Sequence, residues 1–494
     1  MTKVIIVGAG IAGLAAGIYA RQSGFETTIY ESHSIPGGAS TSWRRKGYLF
    51  EGGMHWLTGS SEKTQLNRLW REVGALDDSV RVTRRDPFFN ITDQGKTASL
   101  YRDLRTLREH FIAIAPEDKK EIDKLINDVR LFGSVQMPAM DIKGVRVKTK
   151  STMPVSMLIS MLPALPRMSY YSKFSCREFA EKFKNPTLRL LLENIIGEEY
   201  SASGMVFTMA TLTSGDGGYP EGGSIAMAGR MAMKFRSLGG TIHYNTAVEK
   251  VSVKDGSANG VFIGGELVPA DAVIVSRDTL SAIDTMFEQP IHEPWADQMR
   301  RDTVPMLDTF ICLGVNADLS HLPESMMFRL EQPITCGGLE VQVIGYNNYA
   351  GYAGYAPEGC TALTSVVVGD NYDFWKAAKE KGTYEEEKQR FAEDFIEALS
   401  NQVPEIRGKI AVWDVATPLT YERYLGSYKG SWMSYMKKGQ TNVSYPCKPA
   451  SMKNVYFAGQ RLQSPGGLPV ALTTGRTAVQ YLCLDTNTVF QGNN

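Results

Sequence analysis

Residues 3–31, KVIIVGAGIAGLAAGIYARQSGFETTIYE, decide the fold. Val4 to Val7 form an apolar, β-branched run, the signature of a buried strand. Gly8, Ala9, Gly10, Ile11, Ala12 and Gly13 follow with the spacing GxGxxG. From Ile11 to Gln22 the residues suit a helix, in which Ala12, Ala15, Ala16 and Ala20 allow close packing, and Gly24 ends it. Glu26 to Tyr30 reads as a second strand, with Glu31 at its C-terminal end.

Each part has a physical job. Gly8 permits the tight turn out of the strand, Gly10 lets backbone approach a pyrophosphate, and Gly13 lets the helix pack close to the sheet. The helix N-terminus presents free N–H groups and partial positive charge to phosphates. Glu31 accepts hydrogen bonds from a ribose diol and repels a 2′-phosphate, which argues against NADP. Strand, glycine loop, helix and distant acid together predict an α/β dinucleotide-binding unit, but they leave NAD and FAD both open.

Composition narrows the classes. The chain has 494 residues, 53 Lys+Arg against 53 Asp+Glu, 43% hydrophobic residues and 47 glycines. Two or three domains are expected at this length. A balanced charge offers no surplus cation to release phosphate counterions, so no nucleic-acid partner is expected. Six cysteines without CxxC spacing and six histidines without HExxH predict neither a zinc site nor a disulfide scaffold. The expectation is a cytoplasmic protein with reduced thiols and no metal. The N-terminus shows no signal-peptide pattern. The stretch Met153–Pro166 is too short and proline-rich to span a bilayer.

Two further glycine pairs follow the first motif, in Ser34-Ile35-Pro36-Gly37-Gly38-Ala39-Ser40 and in Phe50-Glu51-Gly52-Gly53-Met54-His55-Trp56. Such pairs recur in flavoproteins that hold FAD extended. Near the other end, Val455 to Ala458 suits a short buried strand, followed by Gly459-Gln460. Gly466-Gly467-Leu468-Pro469 then suits a helix start, since proline is tolerated in a first turn. That helix runs to about Leu484, and its N–H groups would stabilise negative charge on a reduced flavin.

These motifs resemble the FAD-dependent amine-oxidase-type superfamily, and within it the phytoene desaturase, carotenoid isomerase and retinol saturase branch. The resemblance rests on VGAGIAGLAAG, the PGG pair, FEGGMHWLTG, YPEGGSIAMAGRMAMKFRSLGGTIHYNTAVEKV, TPLTYERYLGSYKGS and YFAGQRLQSPGGLPVALTTGRTA. They run in family order from residue 4 to residue 484. The resemblance implies that the loop Gly8–Gly13 (Gly8, Ala9, Gly10, Ile11, Ala12, Gly13) holds the FAD pyrophosphate and Glu31 the adenosine ribose. It implies that Gly37, Gly38 and Ala39 line the phosphate and ribityl region, and that Val248 pairs its backbone with adenine. Gly459 would approach the pyrophosphate, Gly467, Leu468 and Pro469 would flank the isoalloxazine, and Gly53 and Met54 belong to the motif under it. His55, in the same motif, is either an acid/base beside the flavin or a hydrogen-bonding residue.

Two departures stand out. The family usually carries an acid at Gln460, where glutamine still hydrogen-bonds a ribityl hydroxyl. It often carries an arginine after the PGG pair, where this chain has Ala39-Ser40. Backbone N–H groups, Arg44 or Arg45 are then left to meet the phosphate charge.

The pattern predicts a discontinuous Rossmann-like FAD domain, residues 1–75, 215–285 and 450–485, with an inserted α+β substrate domain. The insertions are residues 76–214 and 286–449, and 486–494 is a polar tail. Thr383 to Leu399 is an amphipathic helix with Phe391, Phe395, Ile396 and Leu399 inward. No second GxGxxG opens a nicotinamide domain.

Between Lys143 and Arg167 lies an apolar helix flanked by Lys143, Arg146, Lys148, Lys150 and Arg167, ended by Pro163 and Pro166. Only Ser156 and Ser160 interrupt it, and they share one face. Residues 143–167 therefore suit contact with a membrane surface, or a lid buried on the substrate domain with methionines filling gaps. The lid reading is slightly preferred, and the two can coexist. Tyr346, Tyr349, Tyr352 and Tyr355, interleaved with Gly351 and Gly354, read as a non-helical loop that either stacks on a flat substrate or lies on the surface.

The leading expectation is an FAD-dependent oxidoreductase acting on a carbon–carbon single or double bond of an apolar polyene, isoprenoid or lipid. Desaturation, saturation and isomerisation share one site. An amine-oxidase-like enzyme acting on a C–N bond and a non-catalytic flavin carrier are the alternatives.

Overall fold

The apolar run Lys3–Val7 becomes the middle of a five-stranded parallel sheet. The strand order is Val455–Phe457, Ala272–Val275, Lys3–Val7, Glu26–Tyr30, Thr241–His243. Ile6 lies between Ile274 and Ile29, so the register brings three distant segments into one buried apolar layer. The computed structural model describes residues 1–137, 139–149, 155–441 and 443–492, and the side chains of 155–157 lie outside that description.

The helix Ile11–Gln22 is apolar nearly all round, and Ile11 to Ala20 are buried. Such a helix must be packed on several sides. Its small residues make this possible. A β-carbon on Gly475 would lie 2.5 Å from the Ala12 carbonyl oxygen, so the last helix, Gly467–Asp485, runs against backbone. A β-carbon on Gly17 would lie 2.9 Å from the Phe235 ring, on the helix Gly223–Ser237.

A seven-stranded sheet forms the second layer system. Its order is Ile410–Ala416, Asp308–Val315, Thr361–Val368, Leu339–Asn348, Ser325–Cys336, Phe89–Asp93, Lys96–Leu100. The strand Asp308–Val315 is buried throughout, and strand alternation divides its side chains between two cores. Ile311, Leu313 and Val315 pack with Trp375, Phe391, Phe395 and Leu399 of the helices Tyr372–Lys381 and Tyr384–Gln402. Phe310 and Cys312 point the other way, into the core that holds Tyr48, Phe50 and the cofactor sheet. The helices between residues 104 and 213 build a third core, to which Met327 and Val343 of the large sheet attach.

Two expectations are corrected. The tyrosine segment is not a surface loop, since Tyr349 and Tyr355 are 5% and 1% exposed. Gly354, at φ +79°, lets the chain fold back so that the Tyr349 and Tyr355 rings stack, centroids 4.9 Å apart. Nor is the apolar helix Val155–Met161, with the turn after it, buried as a lid. Leu158, Ile159, Leu162 and Leu165 are 49%, 60%, 57% and 49% exposed. Lys150, Met153, Pro154 and the Ser156 side chain lie outside the described residues. No helix among the described residues is long and apolar enough to cross a membrane.

Candidate active site

The carboxyl ends of the central parallel strands open a crevice at the glycine loop, where ligands of doubly wound sheets bind. A β-carbon on Gly13 would lie 2.5 Å from Ser276 Oγ and closer still to the Gly8 carbonyl oxygen, so only glycine closes this turn. Gly10 differs, since its β-carbon would find nothing nearer than 3.9 Å, and its face is open. The helix behind it has no side-chain cap. Its first internal bond is Leu14 N–H to the Gly10 carbonyl, so the N–H groups before it point into the crevice. Gly37 closes against this loop, its N–H donating to the Ala9 carbonyl at 2.9 Å.

Glu31 is buried at the tip of the second strand. Its Oε2 accepts the Ala9 N–H at 2.6 Å and its Oε1 accepts the His33 N–H at 2.9 Å, which fixes the carboxylate beside the glycine loop. Val248 is buried as well, yet its own N–H and C=O meet no partner among the described residues. A buried backbone pair left free in this way fits a hydrogen-bonding heterocycle.

The opposite wall is the turn into the last helix. Gly459 and Gly467, at φ +159° and +76°, would place β-carbons 3.6 Å or more from any neighbour. The helix Gly467–Asp485 starts with no side-chain cap on Gly466. Leu468 and Pro469 are only partly buried. Gln460 acts as a clasp. Its Nε2 donates to the Trp432 carbonyl, and its Oε1 accepts the Gly467 N–H at 3.0 Å.

Below the crevice runs the loop that carries His55, pinned at both ends by buried carboxylates. Glu51 Oε1 accepts the N–H groups of Gly53 and Met54 at 2.9 and 3.1 Å. Its Oε2 accepts Tyr219 OH at 2.7 Å, the Ser224 N–H at 2.9 Å and Ser42 Oγ at 3.2 Å. Tyr355 OH stands 2.6 Å from Tyr219 OH and extends this network into the tyrosine segment. At the far end Asp216 accepts the N–H groups of Gly59 and Ser61, each at 2.8 Å, and Ser60 Oγ at 3.0 Å.

His55 itself is half-buried. Burial, then the positive charge of Arg85, pushes its pKa down to about 4, so the ring is neutral at pH 7. Arg85 donates to the His55 carbonyl at 3.2 Å and to Asn347 Oδ1 at 3.0 Å. Its guanidinium lies 4.9 Å over the Phe88 ring, which meets Trp56 edge-on. Arg102 braces the same corner by donating to the carbonyls of Arg85, Asp216 and Gly217. Trp56, Phe207, Met327, Val343, Met433 and Tyr435 are partly buried and pack on the helical core. Met433 also reaches Gly466, with Cγ 3.4 Å from where its β-carbon would stand.

Residues 11–483 match the family described as flavin containing amine oxidoreductase. The chain belongs to this family. It is an FAD-dependent oxidoreductase, and the glycine loop, the free Val248 backbone and the uncapped start of the helix Ile11–Gln22 fit that cofactor. Among relatives, prolycopene isomerase 1, chloroplastic, of an Oncidium hybrid cultivar is 24% identical over 92% of this chain and 79% of its own. A 4,4'-diapophytoene desaturase of Methylomonas sp. is 22% identical over 97% and 94%. Among solved structures, putrescine oxidase bound to putrescine superposes with a TM-score of 0.65 at 17% identity, covering 98% of this chain and 99% of that one. An oxidoreductase from Methanosarcina mazei gives 0.61, also at 17%, over 96% and 98%. At that identity the superpositions establish a shared fold.

The residues that family resemblance singles out therefore lie around one crevice: the Gly8–Gly13 loop, Glu31, Gly37 to Ala39, Gly459 and Gly467 to Pro469. Arg44 and Arg45 are the exception. Arg44 donates to the Gly354 carbonyl at 3.4 Å, and Arg45 pairs with Asp414 at 2.9 Å, so both are engaged on the far side of their hairpin. Sequence reading missed Glu51, Asp216 and Arg85. Glu51 carried a signal in hindsight, as an acid directly after an apolar strand. Asp216 and Arg85 carried none.

Proposed function

We propose that this chain oxidises, reduces or isomerises a carbon–carbon bond of an apolar polyene or isoprenoid. One observation carries the reading: the His55 loop borders the helical core, whose partly buried edge includes the apolar Trp56, Phe207, Met327, Val343 and Met433, and the His55 ring is held neutral. The relatives named for prolycopene and diapophytoene chemistry support the same substrate class. Bound in the crevice, FAD supplies hydride exchange with the substrate.

The chain's own residues then take these roles. Gly8, Ala9, Gly10, Ile11, Ala12 and Gly13 receive the pyrophosphate on backbone N–H groups, with Gly459 closing from the other side. Glu31 takes the ribose diol and Val248 the adenine edge. Gly37, Gly38 and Ala39 line the ribityl region, and Gln460 holds the turn over it. Gly53 and Met54 pass under the ring, and Gly467, Leu468 and Pro469 flank it, with the helix N-terminus facing the charge that reduction places there. His55, neutral, accepts a proton at a ring nitrogen when one leaves the substrate carbon.

The domain division at 1–75, 215–285 and 450–485 against 76–214 and 286–449 belongs to the same proposal, and the two principal sheets support it. So does contact with a membrane surface through residues 143–167. Leu158, Ile159, Leu162 and Leu165 form an exposed apolar edge, with Arg167 beside it. Burying such an edge in a bilayer interface gains about 25 cal/mol per Å².

The test is anaerobic spectroscopy of the flavin-loaded protein. Linear and cis polyenes are expected to reduce the flavin, or to reoxidise or isomerise on its reduced form, while primary amines leave the spectrum unchanged. Reduction by amines alone overturns the reading. Sedimentation with anionic phospholipid vesicles, lost in Ile159→Ser/Leu162→Ser, tests the membrane contact.

A further inference from the structure

The diphosphate of FAD carries negative charge, and the arginine that the family often places after the PGG pair is replaced here by Ala39-Ser40. Arg44 and Arg45 are engaged elsewhere. The structure offers another cation. The strand Ala272–Val275 runs parallel beside Lys3–Val7 and delivers Ser276-Arg277 to the same carboxyl edge as Gly8 and Gly459. The Arg277 backbone N is 4.0 Å from the β-carbon position of Gly8, and its carbonyl oxygen is 3.9 Å from that of Gly459. The Arg277 backbone therefore stands between the two glycines that bracket the crevice, and its side chain extends from that edge.

Its side chain is placed with care and left without an anion. It lies across Gly426, at φ +59°, where any β-carbon would collide with Nε and Nη2. Among the described residues its one side-chain hydrogen bond is from Nη1 to the Met286 thioether at 3.5 Å, a weak acceptor. The neighbouring carboxylate, Asp278, is already engaged. One oxygen pairs with Arg461 Nε, and the other accepts the Ser281 N–H at 3.0 Å. Burial lowers the Arg277 pKa, and the charge of Asp278 offsets this only in part. A buried cation is retained where a partner charge completes it.

We infer that Arg277 supplies the cationic counter-charge for the diphosphate of FAD, in place of an arginine after the glycine pair. The inference rests on the FAD reading above. Charge-assisted hydrogen bonds from a guanidinium fork are stronger than neutral ones, and they weaken with salt when the partner is a phosphate.

The experiment is FAD titration of the apoprotein by flavin fluorescence, repeated across a salt series. Wild type is compared with Arg277→Met, which keeps the methylene packing, and Arg277→Lys, which keeps the charge. Arg277→Met is expected to weaken FAD binding about tenfold or more and to flatten the dependence of log Kd on log salt. Arg277→Lys is expected to lose less affinity and keep the slope. Should Arg277→Met not fold, judged by circular dichroism, Arg277→Lys against wild type decides, because a lost slope there refutes a charge role. Unchanged affinity in Arg277→Met overturns the inference, and so does weaker binding at an unchanged slope, which would make the role one of packing. A wild-type apoprotein that takes up no FAD defeats the cofactor reading itself, and that outcome is distinct from the others.

Discussion

Glu51→Gln is the sharpest perturbation the structure offers, because the carboxylate accepts five hydrogen bonds while buried to 2% exposure. An amide has one oxygen and one NH2 group, so some donors must face a donor. If NH2 takes the place of Oε1, it meets two backbone N–H groups, Gly53 and Met54, and neither can reverse. If it takes the place of Oε2, it meets two hydroxyls, Ser42 and Tyr219, which can turn and accept, and one backbone N–H, Ser224, which cannot. The second orientation is therefore preferred. It leaves one buried N–H unsatisfied, at about 1–3 kcal/mol, and removes charge assistance from the remaining bonds, at a few tenths to about 1 kcal/mol each. The expected loss is about 3–5 kcal/mol, large against ordinary stabilities. The comparison variant is Tyr355→Phe, which removes only the outermost hydroxyl and is expected to cost about 1 kcal/mol. Urea unfolding followed by tryptophan fluorescence measures both, and flavin retained after gel filtration reports on the His55 loop. If Glu51→Gln unfolds within about 0.5 kcal/mol of wild type, a fraction of one hydrogen bond, the clamp argument is refuted.

Other outcomes follow from the same geometry. Gly13→Ala is expected to lose FAD, since its β-carbon meets Ser276 Oγ at 2.5 Å and the Gly8 carbonyl oxygen closer still; an FAD occupancy equal to wild type in the purified protein argues against it. Gly475→Ala pushes the last helix off Ala12 and should cost about 1–3 kcal/mol by overpacking, read as a lowered Tm that bound FAD only partly restores. Asp308 is buried and its carboxyl is pushed up to about 7 from 3.8, chiefly by desolvation. The folded state then binds more protons than the unfolded one between those values, so this group's contribution falls as pH rises through 7. Asp308→Asn should gain Tm relative to wild type at pH 8 and not at pH 4, and an equal difference at both sinks the argument. His55 runs the other way. With its folded value near 4 against 6.5, it contributes stability above pH 6.5 that is lost as pH falls toward 4. The ring resonances, assigned by comparison with His55→Asn, should titrate near 4.

The first thirty residues were legible because a continuous apolar strand and a helix rich in small residues flank the glycine loop, and each local signal agreed with the fold. Relations across long separations were not. Glu51 meets Ser224 and Tyr219 at sequence separations of 173 and 168, and Asp216 meets the loop at 155 to 157. An acid on a strand end looks the same whether it faces water or a distant N–H. The tyrosines misled for a related reason. Glycine and asparagine between them mark irregular backbone, which is usually exposed, but here a reversal at Gly354 returns Tyr355 to the core that holds Tyr349, while Tyr346 lies on a strand and faces another core. Arg44 and Arg45 were read as near the cofactor by sequence distance, and the hairpin Ser42–Arg45 with Tyr48–Glu51 carries them away from it.

The order of strands in the parallel sheet has a consequence for biosynthesis. Its outermost strand on one side, Val455–Phe457, is made about 450 residues after its central strand, Lys3–Val7. During synthesis the strand Ala272–Val275 therefore waits as an open, fully apolar sheet edge until about 180 further residues have emerged. One wall of the flavin crevice, Gly459 to Pro469, arrives with that closing strand. Flavin capture and protection of the sheet edge become a single late event, and the nascent chain has no cofactor to stabilise it before then. A supply of FAD when that strand emerges should thus govern how much of the protein escapes aggregation.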